Sequence, residues 1–169
     1  MKILGISGSP RDNQTNYMIK KVLEGSEQEC ELIKLRDLNI GHCVNCGVCR
    51  REPFICAQKD DFQSLHDKLV EADALVFGSP VYFDNVSGLM KDFFDRCLGL
   101  YWSKILYGKK VAIVACAGGN RDSSVESTLV AMENFCILQG LNIIGKVGAL
   151  NKMPDIKNME LEALGKRLV

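Results

Sequence analysis

The stretch KILGIS at residues 2–7 is mostly apolar and stops at the turn GSP, residues 8–10. Continuous apolar runs of this length are typical of strands in a parallel sheet that helices cover on both faces. Residues 16–24 follow, with apolar side chains at helical spacing between Met18 and Leu23. A strand, a tight turn and an amphipathic helix in this order predict the first βα unit of an α/β sheet.

The rest of the chain repeats this alternation. Apolar runs predict further strands at residues 31–35, 74–78, 110–115 and 142–149. Helical spacing predicts helices at residues 16–24, 60–71, 86–100, 123–139 and 160–168. The pattern predicts an α/β fold, a doubly wound sheet of five parallel strands with helices on both faces. In such a sheet, ligands bind beyond the carboxyl ends of the strands, at the topological switch point.

Length and composition limit the classes of protein to consider. A chain of 169 residues can bury one sizeable core, so we expect a single domain over residues 1–169. The 21 basic and 21 acidic side chains balance, and no net charge favours a nucleic acid or a membrane surface as partner. No apolar run approaches membrane-spanning length. Eight cysteines without an export signal predict a cytoplasmic location.

A cysteine-rich loop at about residues 41–58 carries the most specific motif. Cys43, Cys46 and Cys49 recur at every third residue, and Cys56 follows them. This spacing is typical of a compact iron–sulfur ligand run, and Gly47 within it allows a tight backbone path. A zinc site and free, redox-active thiols remain as alternatives, although a four-thiolate zinc site usually uses two separated pairs. The other cysteines are expected to be small buried side chains: Cys30, Cys97, Cys116 and Cys136.

The loop after the first strand predicts a phosphate site. It is rich in hydroxyl and amide groups and opens a helix, whose first N–H groups bind anions readily. Arg11 can hold phosphate oxygens with two parallel hydrogen bonds. The candidate residues are Ser9, Arg11, Gln14, Thr15 and Asn16. An ordinary strand–helix turn with capping residues is the alternative.

Two further strand ends add an aromatic and a glycine-rich loop. Pro80, Val81, Tyr82 and Phe83 follow the strand at residues 74–78, and Tyr82 is placed to lie beside a flat ring. Core packing is the favoured alternative for Phe83. After the next strand come Ala117, Gly118 and Gly119, which let a ligand approach the backbone closely. Together the three loops predict a flat cofactor that bears a phosphate, of which FMN is the simplest.

These motifs carry a family resemblance. The segments SGSPR at residues 7–11, GSPVYF at 78–83 and VAIVACAGG at 111–119 resemble those of the NADPH-dependent FMN reductase superfamily of flavodoxin-like proteins. With its cysteine loop, the chain resembles the iron–sulfur flavoprotein branch. After Arg11 the family commonly continues with glycines, whereas this chain has Asp12, whose charge would repel a phosphate unless it points to solvent.

The resemblance implies a flavodoxin-like fold, a noncovalently held FMN and a [4Fe-4S] cluster. It also implies a homo-oligomer, a dimer or tetramer, in which the cluster approaches the flavin of a neighbouring subunit. The expected function is an oxidoreductase that passes electrons between cluster and FMN and on to an acceptor, with a donor such as ferredoxin or NAD(P)H. No catalytic side chain is predicted. The alternatives are a cluster-free NAD(P)H-dependent FMN or quinone reductase and a non-catalytic redox sensor or electron carrier.

Overall fold

The computed structural model describes residues 1–53, 55–150 and 154–169. Within them, five strands form one parallel sheet in the order β2-β1-β3-β4-β5. The strands are β1 (Lys2–Ser7), β2 (Glu29–Lys34), β3 (Ala74–Pro80), β4 (Lys110–Cys116) and β5 (Asn142–Ala149). The predicted five-stranded parallel α/β sheet is confirmed.

Seven α-helices are described between and after the strands. They are α1 (Gln14–Ser26), α2 (Val48–Arg51), α3 (Phe62–Glu71), α4 (Gly88–Arg96), α5 (Leu98–Ser103), α6 (Asp122–Leu138) and α7 (Asn158–Lys166). The single helix predicted at residues 86–100 is wrong, because the chain breaks at Cys97 and continues as α5. Short 3₁₀ helices at Leu35–Asp37 and Pro154–Lys157 complete the elements. None of the described helices combines the length and apolar character that a membrane span requires.

Helices cover both faces of the sheet, as the apolar runs predicted. Successive side chains of β3 point to opposite faces: Leu75 and Phe77 join the core under α3, α4 and α6, whereas Val76 joins the core under α1 and α7. All three side chains are fully buried. A strand buried on both faces has no room for alternating polar residues, which is why β3 reads as one continuous apolar run.

The neighbouring strands β1 and β3 end side by side. Ser7 of β1 lies in register with Gly78 of β3, and the Gly8 N–H donates to the Gly78 carbonyl at 2.9 Å. From β1 the chain moves outward to β2 and then returns to β3 on the other side, so the topological switch point lies between β1 and β3. A Cβ on Gly8 would stand 2.7 Å from the Met90 Cβ, so this crossing requires glycine. The loops after β1 and β3 therefore border one crevice.

The expected burial of the four cysteines outside the loop holds for three of them. Cys97, Cys116 and Cys136 are buried, and burial raises the pKa of each thiol. The prediction for Cys30 is wrong, because its side chain is exposed. Cys30 lies on β2, an edge strand with a neighbour on one side only, so the apolar pattern there overstates its burial.

Candidate functional site

The loops after β1, β3 and β4 meet in one cleft at the carboxyl edge of the sheet. It encloses about 480 Å³, part of it open to solvent. Most of the residues predicted to bind a cofactor line it: Ser9, Arg11, Gln14, Thr15, Pro80, Val81, Tyr82, Ala117 and Gly118. The cleft lies where the switch point of a doubly wound sheet places a ligand.

Three predicted residues do not line this cleft, and three others do. Asn16 is buried behind it, where its side-chain nitrogen donates to Asp12 Oδ1 at 2.7 Å and its Oδ1 accepts from the Ser7 hydroxyl. Phe83 and Gly119 stand outside the cleft. The additional lining residues are Pro10, Asn13 and Cys116. Each of these directly adjoins a predicted site residue in the sequence, which is the signal that could have found them.

The loop after β1 folds tightly around Ser9. The Ser9 hydroxyl donates to the Arg11 carbonyl at 2.7 Å and accepts from the Arg11 N–H at 3.2 Å. At the start of α1, Asn13 provides no side-chain cap and the first turn contains no acidic residue. The first N–H groups of a helix lack intrahelical acceptors, so they are available to an anion in the cleft.

Arg11 brings a positive charge to the same place. It is exposed, and its guanidinium makes no hydrogen bond or ion pair with any residue that the structure describes. A guanidinium beside a helix N-terminus is a strong binding arrangement for a phosphate group. The geometry therefore supports the predicted phosphate site.

Asp12, the departure from the family pattern, is neutralised by two cations. Its carboxylate pairs with Lys34 at 2.7 Å and also with Arg36. The hydrogen bonds from Lys34 and then Asn16 lower the pKa of Asp12 to about 2. Its side chain is half exposed and lines a neighbouring groove, so it does not oppose an anion in the cleft.

The aromatic loop after β3 forms a tight reverse turn. The Tyr82 N–H donates to the Asn85 carbonyl at 2.8 Å, and the Asn85 N–H donates back at 3.0 Å. Both central residues, Phe83 and Asp84, have positive φ angles of 48° and 58°, as in a type I′ turn. This turn leaves Phe83 fully exposed, so the favoured expectation that it packs in the core is wrong.

An ion pair and a hydrogen bond connect the turn to the start of α6. Asp84 pairs with Arg121 at 2.9 Å and accepts from the Ser124 hydroxyl. A bulky residue at positive φ is costly and persists only where neighbouring contacts hold it. The turn therefore keeps Tyr82, which is partly exposed, at the wall of the cleft.

The cysteine loop forms a second cavity. Cys43, Cys46, Cys49 and Cys56 all line it, and none of them is in a disulfide. Burial raises the pKa of the Cys49 thiol, and the neighbouring thiolates of Cys43, Cys56 and Cys46 raise it further. Gly47 starts α2 with a φ of 76°, the left-handed conformation for which glycine is suited.

The donor set of this cavity is four thiols, the ligand type of both iron–sulfur clusters and zinc sites. Among the described residues, no group of three or more His, Cys, Asp or Glu side chains is gathered closely enough to hold one metal ion. A zinc ion needs its sulfur ligands at about 2.3 Å from the metal.

One residue of the second cavity was missed by the sequence analysis. Arg96 of α4 is buried and forms a two-pronged ion pair with Asp60, with Nη1 at 2.6 Å and Nη2 at 2.9 Å from the two carboxylate oxygens. The hydrogen bonds from Arg96 are the main reason that the pKa of Asp60 falls to about 2. The available signal in the sequence was the position of Arg96, a charged residue beside the apolar face of the helix predicted at residues 86–100.

The comparisons with known proteins agree with this geometry. A family model described as NADPH-dependent FMN reductase matches residues 1–153. The chain belongs to this family. The resemblance inferred from the strand-end motifs is thereby confirmed.

Curated relatives indicate which members of the family this chain is similar to in sequence. Iron-sulfur flavoprotein MJ1083 of Methanocaldococcus jannaschii is 34% identical over 149 residues, which is 86% of this chain and 76% of that protein. An iron-sulfur flavoprotein of Methanosarcina thermophila is 30% identical over 149 residues, 86% of this chain and 78% of that protein. The chain is thus similar to iron–sulfur flavoproteins over most of its length.

Solved structures support the fold. The NAD(P)H:quinone oxidoreductase from Methanothermobacter marburgensis superposes with a TM-score of 0.77 at 17% identity, covering 99% of this chain and 96% of that one. An archaeal flavodoxin superposes with a TM-score of 0.67 at 18% identity, covering 99% and 96%. These likenesses confirm the flavodoxin-like fold of this FMN reductase family member.

Proposed function

We propose that this chain is an FMN-binding iron–sulfur flavoprotein, an oxidoreductase that passes electrons between a [4Fe-4S] cluster and FMN and on to an acceptor. The observation that carries the proposal is that all four cysteines of the run line one cavity, in a chain that also forms the strand-end cleft. FMN exchanges electrons in pairs or singly and the cluster exchanges them singly, so together they connect one-electron and two-electron partners.

The residues of the strand-end cleft would bind the FMN. Arg11, Ser9 and the first turn of α1, with Gln14 and Thr15, would bind the phosphate. Tyr82 would lie beside the flat ring, and the backbone of residues 80–82 and 117–118 would meet its polar edge. Asn16 supports this loop from behind through its bonds to Ser7 and Asp12.

The cluster would be held by Cys43, Cys46, Cys49 and Cys56. His42, although adjacent to Cys43, is mostly exposed and faces Asp92, with Nδ1 at 2.6 Å from the carboxylate. This hydrogen bond raises the pKa of His42. We assign no acid–base role to it or to any other side chain, because the protein's task is to bind, orient and shield its cofactors. The donor we propose is NAD(P)H or a ferredoxin, and the location is the cytoplasm.

We further propose that the chain works as a homo-oligomer. Among the described residues none lines both cavities, but an open, largely apolar groove runs from Cys43 and Asn45 to Asn85. Tyr101 of α5 and Leu138 of α6, both exposed, line this groove. Exposed apolar grooves of this kind mark binding surfaces for a further chain.

The groove includes part of the segment at residues 86–100, which carries more apolar residues than one core-facing stripe needs. Leu98 of this segment lines the groove, whereas Met90, Phe93 and Phe94 are buried in the core of their own subunit. The three rings of Phe93, Phe94 and Phe135 pack together, and Phe94 stacks on Phe135 with ring centres 3.9 Å apart. Most apolar side chains of α4 are therefore used within the subunit, and the groove lined by α4, α5 and α6 is the candidate interface.

A charge in this groove should dissociate the oligomer. Leu138→Glu places a carboxylate on a side chain that is 68% exposed, so folding should be unaffected while burial against a second copy becomes costly. We expect monomers at micromolar concentration by light scattering, with FMN still bound. Met159→Glu, at an exposed position on the opposite face of the sheet, is the matched control. A wild-type protein that is itself monomeric would show the oligomer proposal to be wrong.

Analysis of the anaerobically purified protein tests the cofactor proposal directly. Iron, acid-labile sulfide and flavin are measured per chain, together with the absorption spectrum. We expect a brown protein that contains FMN, with iron and sulfide in about equal amounts to each other. A yellow protein with flavin alone would favour the cluster-free FMN or quinone reductase, and stoichiometric zinc without sulfide would replace the cluster by a zinc site.

A further inference from the structure

We propose that Arg96 is a positioning residue for the cluster: it fastens both ends of the cysteine loop to α4 and donates a hydrogen bond to the Cys56 sulfur. The inference rests on the proposed function, because it takes Cys56 to be a cluster ligand. It assigns to Arg96 two effects that can be measured separately, on retention of the cluster and on its reduction potential.

The guanidinium contacts three points that lie far apart in the sequence. Nη1 donates to the Gly41 carbonyl at 2.9 Å, where the cysteine loop begins. Nη2 donates to Cys56 Sγ at 3.3 Å, near the end of the loop. Both nitrogens also bind the Asp60 carboxylate, just beyond the loop. One rigid side chain on a core helix therefore fixes both ends of the loop at once.

Arg96 itself is buried where it makes these contacts. Its side chain is 1% exposed, and its Cζ lies 4.8 Å from the centre of the Phe62 ring. Asp60 itself accepts from the backbone N–H groups of Gly41 and Phe62, at 2.9 and 3.1 Å. Asp60 is thereby held in place, and the fork of Arg96 is held with it. Buried, charge-assisted contacts of this kind are stronger than exposed ones because little solvent screens them.

The contact to Cys56 is more than the ion pair requires. A carboxylate alone balances one guanidinium, yet Nη2 also points at the sulfur. A neutral thiol is a weak acceptor, whereas a thiolate attracts a cationic donor strongly. The contact would therefore be strongest with Cys56 as a thiolate ligand of the cluster.

The same hydrogen bond should raise the reduction potential of the cluster. The reduced cluster carries one more negative charge than the oxidised cluster, and part of that charge lies on the ligand sulfurs. A fixed donor on a sulfur stabilises the reduced form more than the oxidised form, and hydrogen bonds to the sulfurs are among the established determinants of cluster potential. Removing it should lower the potential.

Two variants and one control test the inference. Arg96→Lys keeps the charge beside Asp60 but replaces the planar fork by an ammonium, whose three donors cannot reproduce the four hydrogen bonds of the guanidinium. The double variant Arg96→Gln with Asp60→Asn removes both buried charges as a unit, so no unpaired charge is left to unfold the protein. Arg50→Gln is the control, because Arg50 is exposed in the same loop and next to Cys49.

Iron and sulfide per chain, FMN per chain and the cluster potential are measured anaerobically for each protein. In Arg96→Lys we expect the FMN to be retained. We expect the ratio of reduced to oxidised cluster to fall about tenfold relative to the wild type, which lowers a one-electron potential by about 59 mV. In the double variant we expect a similar or larger shift and loss of part of the iron. In Arg50→Gln we expect no measurable change, because solvent screens its charge.

A second measurement needs no cluster. In the metal-free protein, trypsin cleaves the cysteine loop after Arg50 or Arg51, and both are exposed. We expect cleavage about tenfold faster in the double variant than in the wild type, because the ends of the loop are released from α4.

The outcomes separate this inference from the function on which it rests. Wild-type protein without iron and sulfide would overturn the proposed function and this inference together. Wild-type protein with a cluster, and variants with unchanged iron content, potential and cleavage, would overturn the inference alone. Loss of the fold in both variants would also count against it, since Arg96 would then support the core rather than the cluster.

Discussion

Replacing Cys43, Cys46, Cys49 or Cys56 by alanine should remove most of the iron and sulfide from the anaerobically prepared protein, while the FMN content stays unchanged. Each substitution deletes one of the thiolates on which the cluster depends, and a site with three ligands loses its metal readily. The flavin should remain because, in the part of the chain that the structure describes, the cysteine cavity and the strand-end cleft have no lining residue in common. Iron, sulfide and flavin assays on the same sample measure both effects.

Cys30→Ala is the matched control for this series. Cys30 is a free and exposed thiol like some of the loop cysteines, but it lies on β2, outside the loop. We expect its iron content to equal that of the wild type. Four loop variants that all retain full iron would exclude these cysteines as ligands. Loss of FMN along with the iron would show that the two sites depend on each other.

The central strands of this fold could be predicted because a buried strand has a recognisable apolar sequence. β3 and β4 are buried on both faces, so their sequences are mostly apolar. The apolar run predicts the edge strand β2 at residues 31–35. In the structure β2 begins at Glu29, which pairs with Lys2 through the backbone. Backbone pairing at an edge does not require apolar side chains, so the sequence pattern missed its first residues.

The helix after β3 was harder to predict because apolar spacing does not reveal a break. The periodic residues of α4 and α5 continue through Cys97, which reads as one helix. In the structure Cys97 is fully buried with φ −75° and ψ 9°, and the chain turns there. The break places α5 against the short helix α2 of the cysteine loop, and a Cβ on Gly99 would stand 2.4 Å from the Pro53 carbonyl oxygen.

The site was predictable where strand ends determine it. Residues that directly follow β1, β3 and β4 must come together at the carboxyl edge, so Ser9, Val81 and Ala117 could be placed from the sequence. Phe83 could not, because its direction depends on a reverse turn with two positive φ angles. Arg96 could not either, since its partners Asp60 and Cys56 are distant in sequence and only the folded loop brings them to it.

Arg11→Ala should weaken FMN binding by about 1.5–3 kcal/mol, which is roughly a tenfold to 150-fold rise in Kd. The size follows from the loss of a charge-assisted contact to a phosphate. Riboflavin has the same ring and no phosphate, so its Kd should change far less. Fluorescence titration of the flavin-free protein with each ligand gives both constants. Arg167→Ala, at an arginine that does not line the cleft, should leave both unchanged.

The comparison of FMN with riboflavin decides what Arg11 does. Its guanidinium has no partner among the described residues, so its removal breaks no contact that holds the loop. Ser9 fixes the Arg11 backbone, which an alanine preserves. A loss confined to FMN, and reduced at high salt, would therefore come from the phosphate charge itself. Equal losses for FMN and riboflavin would mean that Arg11 shapes the cleft without contacting the phosphate, and α1 would then be left as the main anion site.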